Sequence, residues 1–391
     1  MYNQLLLNKL NKLETPFYLY NIDLLNKTLD TLVENINNKN FKVHFAVKAN
    51  ANNRILESIK EKGLGADCVS GNEIAKVLSV GFHASKIVFA GVGKSNKEIL
   101  TGIDSNVFCF NCESLQELNV INELAGKKNK IVNVALRLNP NIDANTHHYI
   151  TTGLSENKFG ISKIELNEIL NNMANFKNLN ISGIHFHIGS QITNLEVFKS
   201  LCTHINELQK WFIDRNISFK HINVGGGLGI DYVKADEKSI PDFKSYFNVF
   251  NKFLEIRAGQ TVHFELGRAI AANCGSLISK VLFIKKGDSK KFVVLDAGMT
   301  ELIRPALYQA YHKIINITSD GKNEKYDVVG PICESTDVFG KNVSLNKTNR
   351  GDLLEILSTG AYGEVMSSNY NLRERVKHYY SDELLILNQY G

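Results

Sequence analysis

The chain has 391 residues, more than one ordinary domain uses, and so predicts two domains. Its hydrophobic share of 43% is enough for a sizeable core, yet no run of about 18 apolar residues occurs, which excludes a membrane-spanning helix. A net charge of +5 is small for this length and carries no basic stripe, so a nucleic-acid partner is not expected.

The opening stretch, "MYNQLLLNKLNKLETPFYLYN", has no apolar core followed by a small-residue cleavage site. It does not read as a signal peptide, and the cytoplasm is the expected compartment. Inside it, "TPFYLYN" (15–21) is a candidate strand. From residue 41 onward short β-rich runs alternate with helix-like segments such as "NRILESIKEK" and "ESLQELNVINELAGK". The runs are "FKVHFAVKAN" (41–50), "GLGADCVS" (63–70), "KIVFAGVG" (86–93) and "NVFCFNCES" (106–114). They continue with "VNVALRLNP" (132–140), "ISGIHFHIGS" (181–190), "HINVGGGLG" (221–229) and "TVHFELGR" (261–268). Eight strand–helix repeats of this size predict an α/β fold built on a (β/α)8 TIM-type barrel. An open doubly wound sheet would carry a glycine-rich fingerprint after its first strand, and none is present.

Cys109 and Cys112 form a C-x-x-C within the fourth run. No second pair stands at zinc-ribbon spacing, and apolar residues surround this one. With Cys68, Cys202, Cys274 and Cys333 the cysteines make no dense disulfide pattern. Neither a metal site nor a redox pair is expected.

After Arg268 the texture changes. "GSLISKVLFIKKG", "KKFVVLDAG", "KYDVVGP" and "GDLLEILSTGAYG" are separated by polar turns and predict a C-terminal antiparallel β-domain. The expected division is a barrel over 22–270 and a β-domain over 271–391, joined by the N-terminal segment 1–21.

In this fold the chemistry sits at the C-terminal ends of the strands. Read at those ends, the sequence offers Lys48; Asp67, Cys68 and Ser70; His185, His187 and Ser190; Gly225, Gly226 and Gly227; and Glu265 with Arg268. Each has an ordinary structural reading alone: a solvated lysine, a core histidine, a tight turn, an ion pair. Together they suit one cofactor. Three glycines opening toward a helix let backbone N–H groups approach a phosphate, with Ser190 and Arg268 adding to the cradle. His187 can stack on a flat ring, Glu265 can hold a proton on a ring nitrogen, and Lys48 can form a Schiff base. Pyridoxal 5'-phosphate has all of these features.

The motifs "FAVKAN", "HFHIGSQI", "NVGGGLG", "FELGR", "GPICESTDVFG" and "GAYG" resemble those of the fold-type III pyridoxal-phosphate-dependent decarboxylases, the alanine racemase-like architecture. With "ENKFGIS" (156–162) and "LDAGMTELIRPALYQAYH" (295–312), they are most similar to the branch of that family acting on meso-2,6-diaminopimelate. The resemblance covers nearly the whole chain and is weakest after about residue 375. It implies decarboxylation of meso-diaminopimelate to L-lysine and carbon dioxide, the last step of lysine biosynthesis. By the same resemblance, Lys48 and Cys333 are catalytic, Cys333 as general acid. Lys48, Asp67, His187, Ser190, Gly225 to Gly227, Glu265, Leu266, Gly267, Arg268 and Tyr362 bind the cofactor. Arg268, Arg304, Tyr308, Glu334 and Tyr362 contact the substrate. Cys333 and Glu334 are expected to reach the site from a partner subunit, which implies a homodimer with shared active sites.

A carboxylate at Glu265 favours a protonated ring nitrogen and a strong electron sink, whereas an arginine there would suit a racemase. Arg304 suits the second carboxylate of diaminopimelate and Glu334 its distal ammonium. Decarboxylation of ornithine, arginine or carboxynorspermidine on the same fold is the alternative, and a non-catalytic pyridoxal-phosphate carrier is a third reading.

Overall fold

The computed structural model describes residues 4–140 and 158–386. Glu156 and Asn157 of "ENKFGIS" lie outside the described residues, as does the end of the tail from residue 387. The chain divides into two compact units. One comprises Leu29–Gly229 and Asp242–Gly267; the other comprises Met1–Thr28, Ile230–Pro241 and Arg268–Gly391. The segment Ile230–Pro241, within the expected barrel range 22–270, belongs to the second unit.

A first strand, β1 (Phe17–Tyr20), is followed by β2 (Phe41–Ala46), β3 (Gly65–Cys68), β4 (Ile87–Phe89), β5 (Cys109–Cys112), β6 (Val132–Arg137), β7 (Leu179–His185), β8 (His221–Asn223) and β9 (Thr261–Leu266). Strands β2 to β9 close into a parallel barrel in chain order, β9 returning to β2. These are the eight expected runs, all shorter than expected, with β7 starting two residues before its run. Strands covered on both faces read as apolar runs rather than alternating ones, and β3, β4 and β5 are buried at every position.

Four of the helices between them begin at a repeated signal, Ser-x-x-Glu. Ser70, Ser95, Ser114 and Ser162 each accept a hydrogen bond from the backbone N–H of the glutamate three residues on. At Ser95 and Ser162 the glutamate also reaches back, completing a capping box. Each cap contributes about 1 kcal/mol. Ser70, counted among the strand-end residues in the sequence, is therefore used as a cap.

The second unit is built on β1 with β10 (Gly275–Lys286), β11 (Lys291–Leu295), β12 (Ile314–Asn316), β13 (Asn323–Val329), β14 (Val338–Asn346), β15 (Leu353–Ile356) and β16 (Lys377–Tyr380). The sheet runs β12-β15-β10-β11-β13-β14, with β1 joining β10 and β16. It is mixed rather than wholly antiparallel, because β1 pairs parallel with β16 and β11 with β13. A parallel pair needs a long crossover, and the chain between β11 and β13 supplies one. Phe17 and Leu19 pack with Leu10, Ile278, Leu353 and Leu384 into one apolar cluster, which anchors the N-terminal strand. Among the described residues no helix is long and apolar enough to cross a membrane.

Candidate active site

Lys48 does not end a strand, as the sequence suggested. β2 stops at Ala46, and Val47–Ala49 form a 3-10 turn closed by Asn50 N donating to Val47 O. The turn buries Val47 and Ala49 and leaves Lys48 partly exposed just past the C-terminal end of the strand. Gly267, following Leu266 at the end of β9, makes room for it. A Cβ there would stand 3.0 Å from the Ala49 Cβ and 3.1 Å from that of Ala46.

Lys48 Nζ lies 3.2 Å from Asp67 Oδ2. Asp67 is fully buried on β3, and burial pushes its carboxyl up to about 7, with the charge of Glu265 adding and Lys48 opposing. Glu265, on β9, goes the other way. Burial works to raise it, but His185, Lys48 and His187 hold it well below the usual carboxylate range. The two acids are thus driven apart, the pattern that assigns different protonation states to neighbouring carboxyls.

Three side chains hold Glu265. Asn223 Nδ2 donates to Oε1 at 2.7 Å, Asn111 Nδ2 donates to Oε1 at 2.9 Å, and His185 Nε2 lies 3.1 Å from Oε2. A carboxylate accepts about four hydrogen bonds, so a further donor can be taken. In the sequence His185 stands out only as a strand end, and neither asparagine stands out. Their signal was present: asparagine is depleted in strands, and "CFNC" and "HINV" place one in the middle of β-rich runs.

The glycine loop differs from expectation. No helix follows it until Phe243, so it does not present a helix N-terminus. Gly225 N donates to Asn223 Oδ1 at 2.9 Å and Gly226 N to His187 Nδ1 at 3.3 Å. Of the three N–H groups only that of Gly227 makes no hydrogen bond among the described residues. The glycines are demanded instead by close approach. A Cβ on Gly226 would fall 2.0 Å from Glu265 O, and one on Gly225, at φ +71°, 2.2 Å from Phe186 O. His187, two residues beyond β7, accepts from Gly226 N at Nδ1, and burial pushes its imidazole well below the ordinary value. Ser190 stands in the same loop, just before the bridge Ile192–Leu228.

The second unit brings together a different set. Arg268 Nη1 donates to Tyr232 Oη at 2.7 Å, and its guanidinium lies 4.8 Å from the Tyr362 ring centre. Arg304 opens the short helix Arg304–Tyr308 with Pro305 in its first turn. Its Nη1 donates to the same Tyr232 Oη at 2.9 Å and to His312 Nε2 at 2.8 Å. Tyr308 is half-buried on that helix. Tyr232 and His312 were not singled out in the sequence. Cys333 and Glu334 are both exposed; Cys333 N donates to Asn371 Oδ1 at 3.4 Å, and Glu334 Oε1 accepts from Tyr370 Oη at 2.8 Å. The C-x-x-C thiols lie buried in β5, and burial pushes Cys109 up to about 12, far from a reactive thiolate. Among the described residues no cluster suited to a metal ion is found.

The family described as "Pyridoxal-dependent decarboxylase, pyridoxal binding domain" matches residues 23–272. A diaminopimelate decarboxylase of Bacteroides thetaiotaomicron is 56% identical over 97% of this chain and 98% of its own length. The chain belongs to the diaminopimelate decarboxylases. The diaminopimelate decarboxylase of Helicobacter pylori, solved in complex with L-lysine, matches with a TM-score of 0.90 at 35% identity, covering 98% of each chain. The lysine/ornithine decarboxylase of Vibrio vulnificus, complexed with putrescine, matches with a TM-score of 0.83 at 21% identity over 97% of this chain and 98% of its own. That likeness is one of fold alone. The fold therefore does not separate a diaminopimelate decarboxylase from its polyamine-type cousins, and the side chains must.

The cofactor of diaminopimelate decarboxylases is pyridoxal 5'-phosphate, and the barrel residues fit it. Lys48 offers an amine past the end of a strand. Glu265 is held anionic with acceptor capacity to spare. Asp67 Oδ1 and His185 Nδ1 are buried with no hydrogen-bond partner among the described residues, polar atoms that a bound polar group would satisfy.

Proposed function

We propose that this chain decarboxylates meso-2,6-diaminopimelate to L-lysine and carbon dioxide, the last step of lysine biosynthesis, as a cytoplasmic homodimer. The observation that carries the substrate choice is Arg304. It is buried, yet its partners, Tyr232 and His312, are neutral, and among the described residues no carboxylate pairs with it. Burial and the charge on Arg304 lower the His312 imidazole to about 3, so it stays uncharged. A buried guanidinium without a counter-charge costs several kcal/mol. A substrate with a second carboxylate supplies that counter-charge; ornithine and arginine do not.

Pyridoxal phosphate, when bound, supplies the electron sink for the pair left behind as carbon dioxide departs. The chain's residues do the rest. Lys48 binds the cofactor through its amine, beside Asp67. Glu265, kept ionised by His185, Lys48 and His187 and held by Asn111 and Asn223, would hold a proton at the ring nitrogen. The neutral imidazole of His187 would stack on the ring. Gly227 N–H and Ser190 take the phosphate, while Gly225 and Gly226 shape the loop and Leu266 and Gly267 seat the Lys48 turn. Arg268, Tyr308 and Tyr362 would contact the substrate with Arg304, and Arg268 and Tyr362 would also bind the cofactor. Cys333 Sγ gives a proton to the α-carbon, and Glu334 takes the distal ammonium. Both are exposed on this chain, which suits residues supplied by a second copy.

The test is competition. Purified protein loaded with cofactor is given equal amounts of meso-diaminopimelate, ornithine, arginine and carboxynorspermidine, and the products are identified by mass. Lysine should dominate. Putrescine, agmatine or norspermidine as the main product would overturn the substrate choice.

A further inference from the structure

Arg304 is held in an unusual way for a residue meant to bind an anion. A guanidinium carries two hydrogens on Nη1, two on Nη2 and one on Nε. Both Nη1 hydrogens are taken, one by Tyr232 Oη at 2.9 Å and one by His312 Nε2 at 2.8 Å. His312 can accept there only because its other nitrogen donates: Nδ1 faces Leu357 O at 2.8 Å, and a carbonyl cannot donate. That single backbone oxygen fixes the tautomer. Tyr232 is fixed in turn, because its Oη also accepts from Arg268 Nη1 at 2.7 Å. Its ring lies 5.1 Å from the Arg304 guanidinium and 5.1 Å from the His312 ring, edge to face. Among the described residues Nε and Nη2 of Arg304 make no hydrogen bond within the chain. Those two nitrogens form the side edge of the guanidinium, whose parallel N–H groups match a carboxylate.

We propose that Tyr232 and His312 are positioning residues for substrate selection: they occupy Nη1 of Arg304 with neutral acceptors, leaving its Nε/Nη2 edge to clasp the distal carboxylate. Neutral acceptors matter here. A carboxylate in either place would hold Arg304 equally well but would neutralise the charge meant for the substrate. The pair thus orients the cation without satisfying it. Arg268, bonded to the same phenol oxygen, is drawn into the same arrangement.

The inference rests on the assignment of Arg304 to the distal carboxylate, so the experiment separates the two. Inhibition constants of pimelate, a seven-carbon dicarboxylate, and heptanoate, its monocarboxylate counterpart, are measured on the cofactor-loaded parent and on Arg304→Gln, Tyr232→Phe, His312→Leu and His312→Gln. Melting temperature and visible absorbance report folding and cofactor loading. Arg304→Gln should abolish the preference for pimelate. Tyr232→Phe and His312→Leu should each lower it by about 5- to 30-fold, the scale of one or two kcal/mol, with heptanoate unchanged. His312→Gln should restore most of it, since an amide can still accept from Arg304 and donate to Leu357 O. If Arg304→Gln abolishes the preference while Tyr232→Phe and His312→Gln keep it and His312→Leu matches His312→Gln, the positioning role is overturned and the assignment of Arg304 stands. If Arg304→Gln keeps the preference, the assignment itself fails and the positioning role falls with it.

Discussion

Asn223 ties Glu265 to the glycine loop: its Nδ2 donates to Glu265 Oε1 at 2.7 Å, and its Oδ1 accepts from Gly225 N at 2.9 Å. One short side chain at the end of β8 thereby sets the carboxylate assigned to the ring nitrogen and the loop assigned to the phosphate. Asn223→Ala breaks both bonds and leaves a buried carboxylate short of a donor, at a cost of about 1–3 kcal/mol. The expected result is weaker binding of pyridoxal phosphate, by roughly 5- to 150-fold on that scale. Asn223→Asp should be worse, because a second buried carboxylate beside Glu265 opposes its ionisation. Fluorescence titration of the cofactor-free protein measures this, and unchanged affinity in both variants contradicts the coupling.

Gly226 tests the packing half of the same site. An alanine Cβ would fall 2.0 Å from Glu265 O, a backbone atom that cannot swing aside. Overpacking of this kind costs about 1–3 kcal/mol. Gly226→Ala should therefore melt earlier and bind cofactor less tightly. Gly259→Ala, where an added Cβ meets nothing within 4 Å but φ is +80°, separates backbone strain from collision. It should lose stability and keep cofactor affinity. Equal cofactor affinity in the two variants would remove the argument from close approach.

Acid should destabilise the chain through its buried histidines. Burial lowers the imidazoles of His44, His187, His263 and His312, the last to about 3. Below about pH 6.5 the unfolded chain binds protons at these sites that the folded chain refuses, so stability falls as pH drops through that value. For His312 the loss continues toward pH 3 at about 1.4 kcal/mol per pH unit. His312→Gln deletes that contribution. Melting temperatures from pH 8 to pH 5 should fall less steeply in the variant than in the parent; parallel profiles count against a neutral His312.

Cys333 is exposed and makes no contribution to the core. Cys333→Ala should fold and load cofactor as the parent does. Its turnover should fall by about 10²- to 10⁴-fold, the usual worth of a positioned proton donor. Mixing it with Lys48→Ala offers a check on the dimer: if each site draws Cys333 from the second copy, mixed dimers regain one intact site and hence activity. Silence of the mixture, with exchange verified, would place Cys333 in its own chain's site.

Much of the fold could be read from residue patterns. The eight apolar runs became the eight barrel strands because parallel strands buried on both faces have no alternation to hide. The Ser-x-x-Glu repeats at four helix starts went unnoticed in the sequence, although their mechanism acts within four residues. What else escaped was non-local. Nothing near Tyr232 in "GIDYVKADEK" distinguishes it from a polar loop, and its meaning comes from Arg268 and Arg304, the latter 72 residues away. Asn111 and Asn223 likewise acquire a role only once β5, β8 and β9 stand in one barrel around Glu265. The 3-10 turn at Lys48 was hidden by a β-rich run that ends two residues earlier than its composition suggests.

The placement of Lys48 beside Asp67, at 3.2 Å, is the centre of the account. Borohydride reduction of the cofactor-loaded protein fixes any lysine–cofactor link as a stable pyridoxyl amine, and peptide mapping by mass then names the lysine. That placement predicts a single modified peptide containing Lys48, lost in Lys48→Ala while that variant remains folded. A pyridoxyl group on any other lysine, or its retention in Lys48→Ala, would contradict it.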